Sequence, residues 1–485
     1  MTAPPVTVEV LLSGGLPRFS LVGLAEAAVR ESKDRVRGAI LSSGFDFPQR
    51  RITVSLAPAD MPKSGGRFDL AVALGILVAS RQLPAEGLQD NEYYGELSLG
   101  GELRGVAGLL PAVVQAAASG TAVVVPDANA TEAALVDAPV FAASTLTEVA
   151  AHLAGREPLV RQPLGVPELA DLDVPDLADV RGQALARRAL EVAAAGGHNL
   201  LFSGPPGTGK TMLARRLPGI LPPMSYGEAL ASSAVESVIG LPFDGSRWRR
   251  RPFRAPHHSA TSAALAGGGS QPRPGEISRA HHGVLFLDEL PEWSRHTLET
   301  LREPMESGSI TISRAGRQAE FPAEFQLVAA MNPCPCGYLG DRNAECHCSA
   351  ERVQAYRGRI SGPLLDRIDL RVSVERLPLD ALRNDAPGAE ASAVVAERVV
   401  VARRRQLERQ GTCNARLADN QLSYCQPERH GRELLETAMS RFPTSMRAYQ
   451  RVLRVARTIA DLAGRNATGA ADIAEALAFR GLSGD

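Results

Sequence analysis

Gly204-Pro205-Pro206-Gly207-Thr208-Gly209-Lys210-Thr211 is the stretch that decides the fold of this chain. It satisfies every fixed position of the phosphate-binding loop G-x-x-x-x-G-K-[ST]. Glycines let the backbone come close to an anion, the lysine neutralises phosphate charge, and the threonine hydroxyl can sit on Mg²⁺. An apolar run, Asn199-Leu200-Leu201-Phe202, precedes the loop, and a helical pattern, Met212 to Leu217, follows it. Strand, loop and helix in that order aim backbone N–H groups at the phosphates. The reading is an α/β fold with an ATP site built by Gly204, Pro205, Pro206, Gly207, Thr208, Gly209, Lys210 and Thr211, with Thr211 on the metal.

Further parts of an ATPase follow in order. Val284-Leu285-Phe286-Leu287 reads as a buried strand ending in Asp288-Glu289. There Asp288 is placed to hold the metal's water shell and Glu289 to polarise the attacking water. Phe325 to Met331 is a second strand, and Asn332 at its end is placed to orient that water. Upstream, Asp179-Val180-Arg181-Gly182-Gln183 resembles the adenine-contacting segment of AAA+ ATPases, which makes Val180 and Gln183 nucleotide contacts. Leu364 to Leu370 resembles the arginine-finger segment of ring ATPases, so Arg367 would reach a neighbouring subunit's γ-phosphate. Ser445-Met446-Arg447 opens a helix and resembles the second sensor. A finger acting in trans implies a ring, and a homo-hexamer is the expected assembly.

At 485 residues the chain has room for about three domains. Its formal net charge of −1 leaves no global basic field, so any nucleic-acid surface must be local. No signal peptide and no apolar run of bilayer length is present, which points to a cytoplasmic protein without membrane contact. Short apolar runs, Gly/Pro turns and two helical patterns fill residues 1–155. Residues 156–175, rich in proline, read as a linker. The ATPase core spans 176–375, a polar linker 376–390, and a helical lid 391–485, where Tyr449 to Leu462 has strong 3.6-residue periodicity.

The run Arg251-Pro252-Phe253-Arg254-Ala255-Pro256-His257-His258-Ser259, then Gly267-Gly268-Gly269 and Pro274 to Ser278, resembles the magnesium-chelatase-like AAA+ proteins. So do Met331 to Gly337 and the helix Val455 to Leu462. The resemblance runs along nearly the whole chain and is to the ComM/YifB group. It implies a hexameric, ATP-driven DNA motor that promotes branch migration during natural transformation. It also implies an N-terminal domain that the chelatase motor subunit lacks.

That N-terminal domain resembles the Lon protease catalytic fold. Ala57 to Lys63 and Phe68 to Leu74 match the region of the nucleophilic serine, but Asp69 holds its place. Gly95 to Gly101 and Gly108 to Leu110 match the region of the general-base lysine, but Leu110 holds that place. Without nucleophile and base there is no dyad. Ser64 and Lys63 are sequence neighbours, and on an extended segment they point to opposite faces. The domain reads as a non-proteolytic α+β module.

Cys334 and Cys336, then Cys346 and Cys348, form an insert with two C-x-C steps separated by nine residues. Four such thiolates can close a tetrahedral Zn²⁺ site, although C-x-x-C is the commoner step. Unliganded thiols, or His347 in place of one ligand, stay open. Cys413 and Cys425 read as ordinary thiols.

DNA contacts are expected in the ring's pore. Gly308 to Ser313, a turn at Arg314-Ala315-Gly316-Arg317, and Gln318 to Phe321 read as a β-hairpin with a basic tip. The Gly-rich loop 266–270 is a second candidate. Arg247-Trp248-Arg249-Arg250-Arg251 and Arg254 form a basic patch with an aromatic residue for base stacking. Arg403-Arg404-Arg405 reads as a solvent-facing helix. Three functions are in play: a DNA motor, a chelatase-type motor subunit remodelling a protein partner, and a non-catalytic ATP-binding scaffold. The first is favoured.

Overall fold

In the computed structural model the described residues are 3–23, 27–63, 65–168, 174–269, 272–314, 317–341, 344–377, 389–441 and 445–481, the side chains of 27–30, 314 and 317 excepted. Two compact units emerge, 1–169 with 233–248 and 170–232 with 249–485.

In the first unit the alternating run Arg51–Ala57 buries Ile52, Val54 and Leu56 on one face, the period-2 pattern of a half-buried strand. It pairs antiparallel with Thr7–Ser13 and parallel with Arg18–Val22. The helix Asp69–Ala79 packs Leu70, Leu74 and Leu77 into the same core. A separate parallel sheet joins Asn91–Tyr93, Ala122–Pro126 and Val140–Ala143. The expected linker is partly docked here: Gln162 N donates to Val140 O at 2.8 Å, and Gly165 N to Ala134 O at 2.9 Å. Residues 233–248 belong to this unit because Ser237 serves its interior. Leu110 N donates to Ser237 Oγ at 3.2 Å and Gly108 N to Ser237 O at 2.7 Å.

The second unit is built on a five-stranded parallel sheet, in spatial order Phe253–Arg254, Val284–Leu287, Gln326–Met331, Leu200–Ser203, Leu370–Ser373. Numbered along the chain this is 2-3-4-1-5, so the order reverses beside Leu200–Ser203. Open parallel sheets bind ligands outside the carboxyl ends of their strands at such a reversal. The central strands Val284–Leu287 and Gln326–Met331 are buried along their whole length and, Gln326 apart, apolar, as burial on both faces favours. The helix after the phosphate loop, Lys210–Ala214, is shorter than the pattern Met212 to Leu217 suggested. Pro218 has no N–H for a helical ladder, and the chain passes into the 3-10 turn Leu217–Ile220.

Among the described residues the α-helices Ser392–Gln410, Arg429–Arg441, Met446–Leu462 and Ala470–Ala478 form most of the C-terminal part. Ser445 caps the third by accepting from Ala448 N at 3.2 Å. These helices share one core with the sheet: Val399, Val452, Ile459 and Leu477 pack with Leu190, Leu200 and Val372. Most of the expected 376–390 linker lies outside the described residues.

Arg403 departs from its expected solvent-facing role. Its Nε and Nη2 donate to Ala195 O and Ala194 O, both at 2.8 Å, and so satisfy open carbonyls near the end of the helix Ala184–Gly196.

Candidate functional site

Gly207 and Gly209 lie at φ 76° and 89°, a left-handed backbone that glycine adopts without strain. Gly204 meets a different demand, since a Cβ there would sit 2.1 Å from Val374 O. Thr208 Oγ1 donates to Pro205 O at 2.9 Å and braces the loop. Lys210 Nζ donates to Gly204 O at 2.7 Å, Pro205 O at 2.8 Å and Asn332 Oδ1 at 3.2 Å. Burial pulls this ammonium below its ordinary pKa, while Asp288 and Glu289 pull it back up. A desolvated cation inside a loop of this kind fits a polyphosphate ligand.

Thr211 Oγ1 donates to Asp288 Oδ2 at 2.6 Å. Thr211 opens the helix after the loop and Asp288 follows a strand end; hydroxyl and carboxylate are oxygens that a hydrated Mg²⁺ takes, so the donor set fits that ion. Asp288 is held from behind: its carbonyl accepts from Trp293 Nε1 at 3.0 Å, and its Oδ1 from Glu289 N at 2.9 Å. Glu289 has φ 51° and projects into solvent, where His258 Nδ1 lies 3.0 Å from its Oε2. Lys210, Thr211, Asp288, Glu289 and Asn332 thus come from three segments and meet at the carboxyl ends of three strands.

Val180 is fully buried in the core, and Gln183, at φ 50°, donates Nε2 to Glu375 O at 2.7 Å. Arg367 and Arg447 both face Glu306 rather than the phosphate loop. Sequence reasoning missed Glu306 altogether and carried His258 only within a quoted run.

The cysteines converge. The four sulfurs lie within 4.8 Å of one another, with Cys334 to Cys336 at 3.3 Å, Cys336 to Cys346 at 3.6 Å and Cys334 to Cys346 at 3.7 Å. Four Zn–S bonds of about 2.3 Å imply S···S edges of about 3.8 Å, so the set fits a tetrahedral ion. Cys413 and Cys425 are buried elsewhere.

The predicted hairpin is present as Ser309–Arg314 paired with Arg317–Pro322, Arg314 opposite Arg317. Residues 315 and 316 and the side chains of Arg314 and Arg317 lie outside the described residues. In the Gly-rich loop, Gly267–Gly268 pairs with Arg273–Pro274, and a Cβ on Gly267 would lie 2.5 Å from Ile312 of the hairpin; residue 270 lies outside the described residues.

The basic patch needs correction. Trp248 is 2% exposed and so offers no face for base stacking. Arg251 donates Nη2 to Glu228 Oε2 at 3.2 Å and Nη1 to His282 O at 2.7 Å. Arg249 Nε donates to Met224 O at 2.7 Å, and Arg254 pairs with Glu276 at 2.6 Å. These guanidiniums brace their own unit; Arg250 is half-buried beside them.

In the first unit Asp69 is fully buried, paired with Arg35 at 2.7 Å and accepting from Leu97 N at 3.3 Å. Burial pushes its carboxyl up to about 6. Lys63 is buried, with its Nζ donating to Pro58 O. Ser64 lies outside the described residues.

Comparison with known proteins agrees along the whole length. The family described as "Magnesium chelatase, subunit ChlI" matches residues 176–382, "Subunit ChlI of Mg-chelatase" matches 8–129, and "Magnesium chelatase, subunit ChlI C-terminal" matches 389–480. The second match carries the chelatase subunit's name, so by that description the N-terminal part does not by itself separate the two kinds of protein. Coverage does separate them. The competence protein ComM of Haemophilus influenzae is 49% identical over 99% of this chain and 95% of its own length. YifB of Salmonella typhimurium is 47% identical over the same shares. The magnesium-chelatase 67 kDa subunit of Heliobacterium mobile is 28% identical over only 35% of this chain and 30% of its own. The chain therefore belongs to the ComM/YifB family of magnesium-chelatase-like proteins, whose AAA+ character implies ATP and Mg²⁺ as ligands.

Proposed function

We propose that this protein is the subunit of an ATP-driven, homo-hexameric DNA motor of the helicase or branch-migration kind, working in the cytoplasm in DNA uptake or recombination. The meeting of Lys210, Thr211, Asp288, Glu289 and Asn332 at the sheet's order reversal, with a hairpin leading into the Asn332 strand, is the observation that carries it. Full-length similarity to a protein named for competence supports the DNA part.

In this reading Lys210 and the loop N–H groups bind the phosphates, with Val180 and Gln183 on the adenine side. Thr211 and Asp288 would hold Mg²⁺, which when bound would neutralise charge on the β- and γ-phosphates. Glu289 takes a proton from the attacking water, Asn332 orients that water, and Arg367 serves a neighbouring subunit. Arg447 reports nucleotide state to the helical part. Cys334, Cys336, Cys346 and Cys348 hold a structural Zn²⁺. The N-terminal unit is non-proteolytic, with a fold like that of Lon protease. Hairpin residues Arg314 and Arg317 grip the DNA backbone.

Steady-state ATPase rates with and without single-stranded and four-way-junction DNA test the reading, with Glu289→Gln as the blank. Strong stimulation is expected. A rate indifferent to both DNAs would overturn the motor reading in favour of a chelatase-type subunit that remodels a protein partner, or, with no turnover at all, an ATP-binding scaffold.

A further inference from the structure

Two arginines with separate expected roles meet on one carboxylate. Glu306 Oε1 pairs with Arg367 Nη2 and lies 3.5 Å from Arg447 Nη2. Arg367 is 4% exposed, and its Nη1 donates to Pro363 O at 2.7 Å. A guanidinium held this way cannot extend from its own subunit until it leaves Glu306. The Glu306 side chain is about half exposed, and an ion pair of that exposure is weak enough to exchange partners.

Glu306 also stands at the base of the hairpin. It lies on the short helix Pro304–Ser307, which ends at Gly308 with φ 71°. Ser307 Oγ accepts from Ser309 N at 3.2 Å and donates to Ser309 O at 2.9 Å, while Ala323 N donates to Gly308 O at 2.8 Å. A Cβ on Gly308 would sit 2.9 Å from Glu324 Cγ, so the turn is closely packed. Displacement of the hairpin would therefore move the segment that carries Glu306.

We propose that Glu306 is a positioning residue that holds Arg367, together with Arg447, on their own subunit, and that the hairpin controls its release. The inference rests on Arg367 being a finger that acts in trans. A neighbouring γ-phosphate and the Glu306 carboxylate are rival anions for the same planar fork. Removing the carboxylate's charge tips that competition toward the phosphate before any DNA arrives.

The test uses full-length protein with Glu306→Gln, Glu306→Asp, Arg367→Ala and the Glu306→Gln/Arg367→Ala double variant. Glu306→Gln should raise the DNA-free ATPase rate roughly fivefold and shrink DNA stimulation in proportion. Glu306→Asp, which keeps the charge, should stay near the parent rate, and the double variant should be as inactive as Arg367→Ala. An unchanged or lowered DNA-free rate in Glu306→Gln, alongside an inactive Arg367→Ala, would overturn the restraint while leaving the finger intact. Full turnover in Arg367→Ala would overturn the finger itself, and the inference with it.

Discussion

At the residue scale, the groups named by the phosphate-loop pattern and the strand-end acids were legible because local backbone geometry places them. Lys210 and Thr211 open the helix after a glycine turn, and Asp288 ends a buried strand. His258 and Glu306 were not legible, because each acts on a partner that only the tertiary fold brings near. His258 is exposed enough to be an ordinary surface histidine by composition, yet its Nδ1 faces Glu289 Oε2 at 3.0 Å. We expect His258→Ala to lower ATP turnover about tenfold while nucleotide affinity holds, as loss of an orienting partner does. Turnover and nucleotide titration measured on the same variant check this, and an unchanged rate would remove His258 from the site. Trp248 shows the converse error. Arginine-tryptophan clustering reads as a binding patch, but the indole is buried against Phe243 at a centroid distance of 6.1 Å.

At the scale of elements, the strands and the hairpin were readable from apolar runs and turn residues. The helix after the loop ends sooner than its helix formers suggest, because one proline outweighs them. The hairpin carries its own prediction. Arg314→Ala with Arg317→Ala should weaken DNA binding and flatten its dependence on salt, since fewer phosphate contacts release fewer counterions. Binding isotherms across a salt series would show it; identical slopes would take the hairpin out of the interface. The cysteine insert carries another. Elemental analysis should find close to one zinc per chain, and Cys336→Ser with Cys346→Ser should abolish it and lower thermal stability. Purified protein free of zinc would leave the cluster as reduced thiols.

At the scale of the whole molecule, the C-terminal helices share a core with the sheet, and Asp369 is a clear tie between them. It is 2% exposed, accepts from Asn199 N at 2.8 Å, pairs with Arg451 of the helix Met446–Leu462, and lies 3.7 Å from His198 Nδ1. Burial alone would raise its pKa, but Arg451 and His198 outweigh burial and hold it well below the usual carboxylate range. A depressed folded-state pKa contributes stability above the unfolded value, and that stability is lost as pH falls through the folded one. Asp369→Asn should cost about 3 kcal/mol at neutral pH, because it leaves the Arg451 guanidinium without its buried carboxylate. The variant should also show a shallower loss of stability in acid. Denaturant titrations at pH 7 and across the acid range decide this; equal stability at pH 7 would deny the tie.

The division of the chain also belongs to this scale. Among the described residues no helix is long and apolar enough to cross a membrane. The sequence by itself determined the phosphate loop, the acidic strand end, the hairpin and the family, because each rests on short-range spacing along the chain. Only the tertiary structure decided that 233–248 belongs with the N-terminal unit, that the basic patch is spent on internal carboxylates and carbonyls, and that Arg367 and Arg447 share Glu306. Those outcomes depend on which distant groups compete for each charge and each buried surface, and spacing along a chain carries no record of that competition.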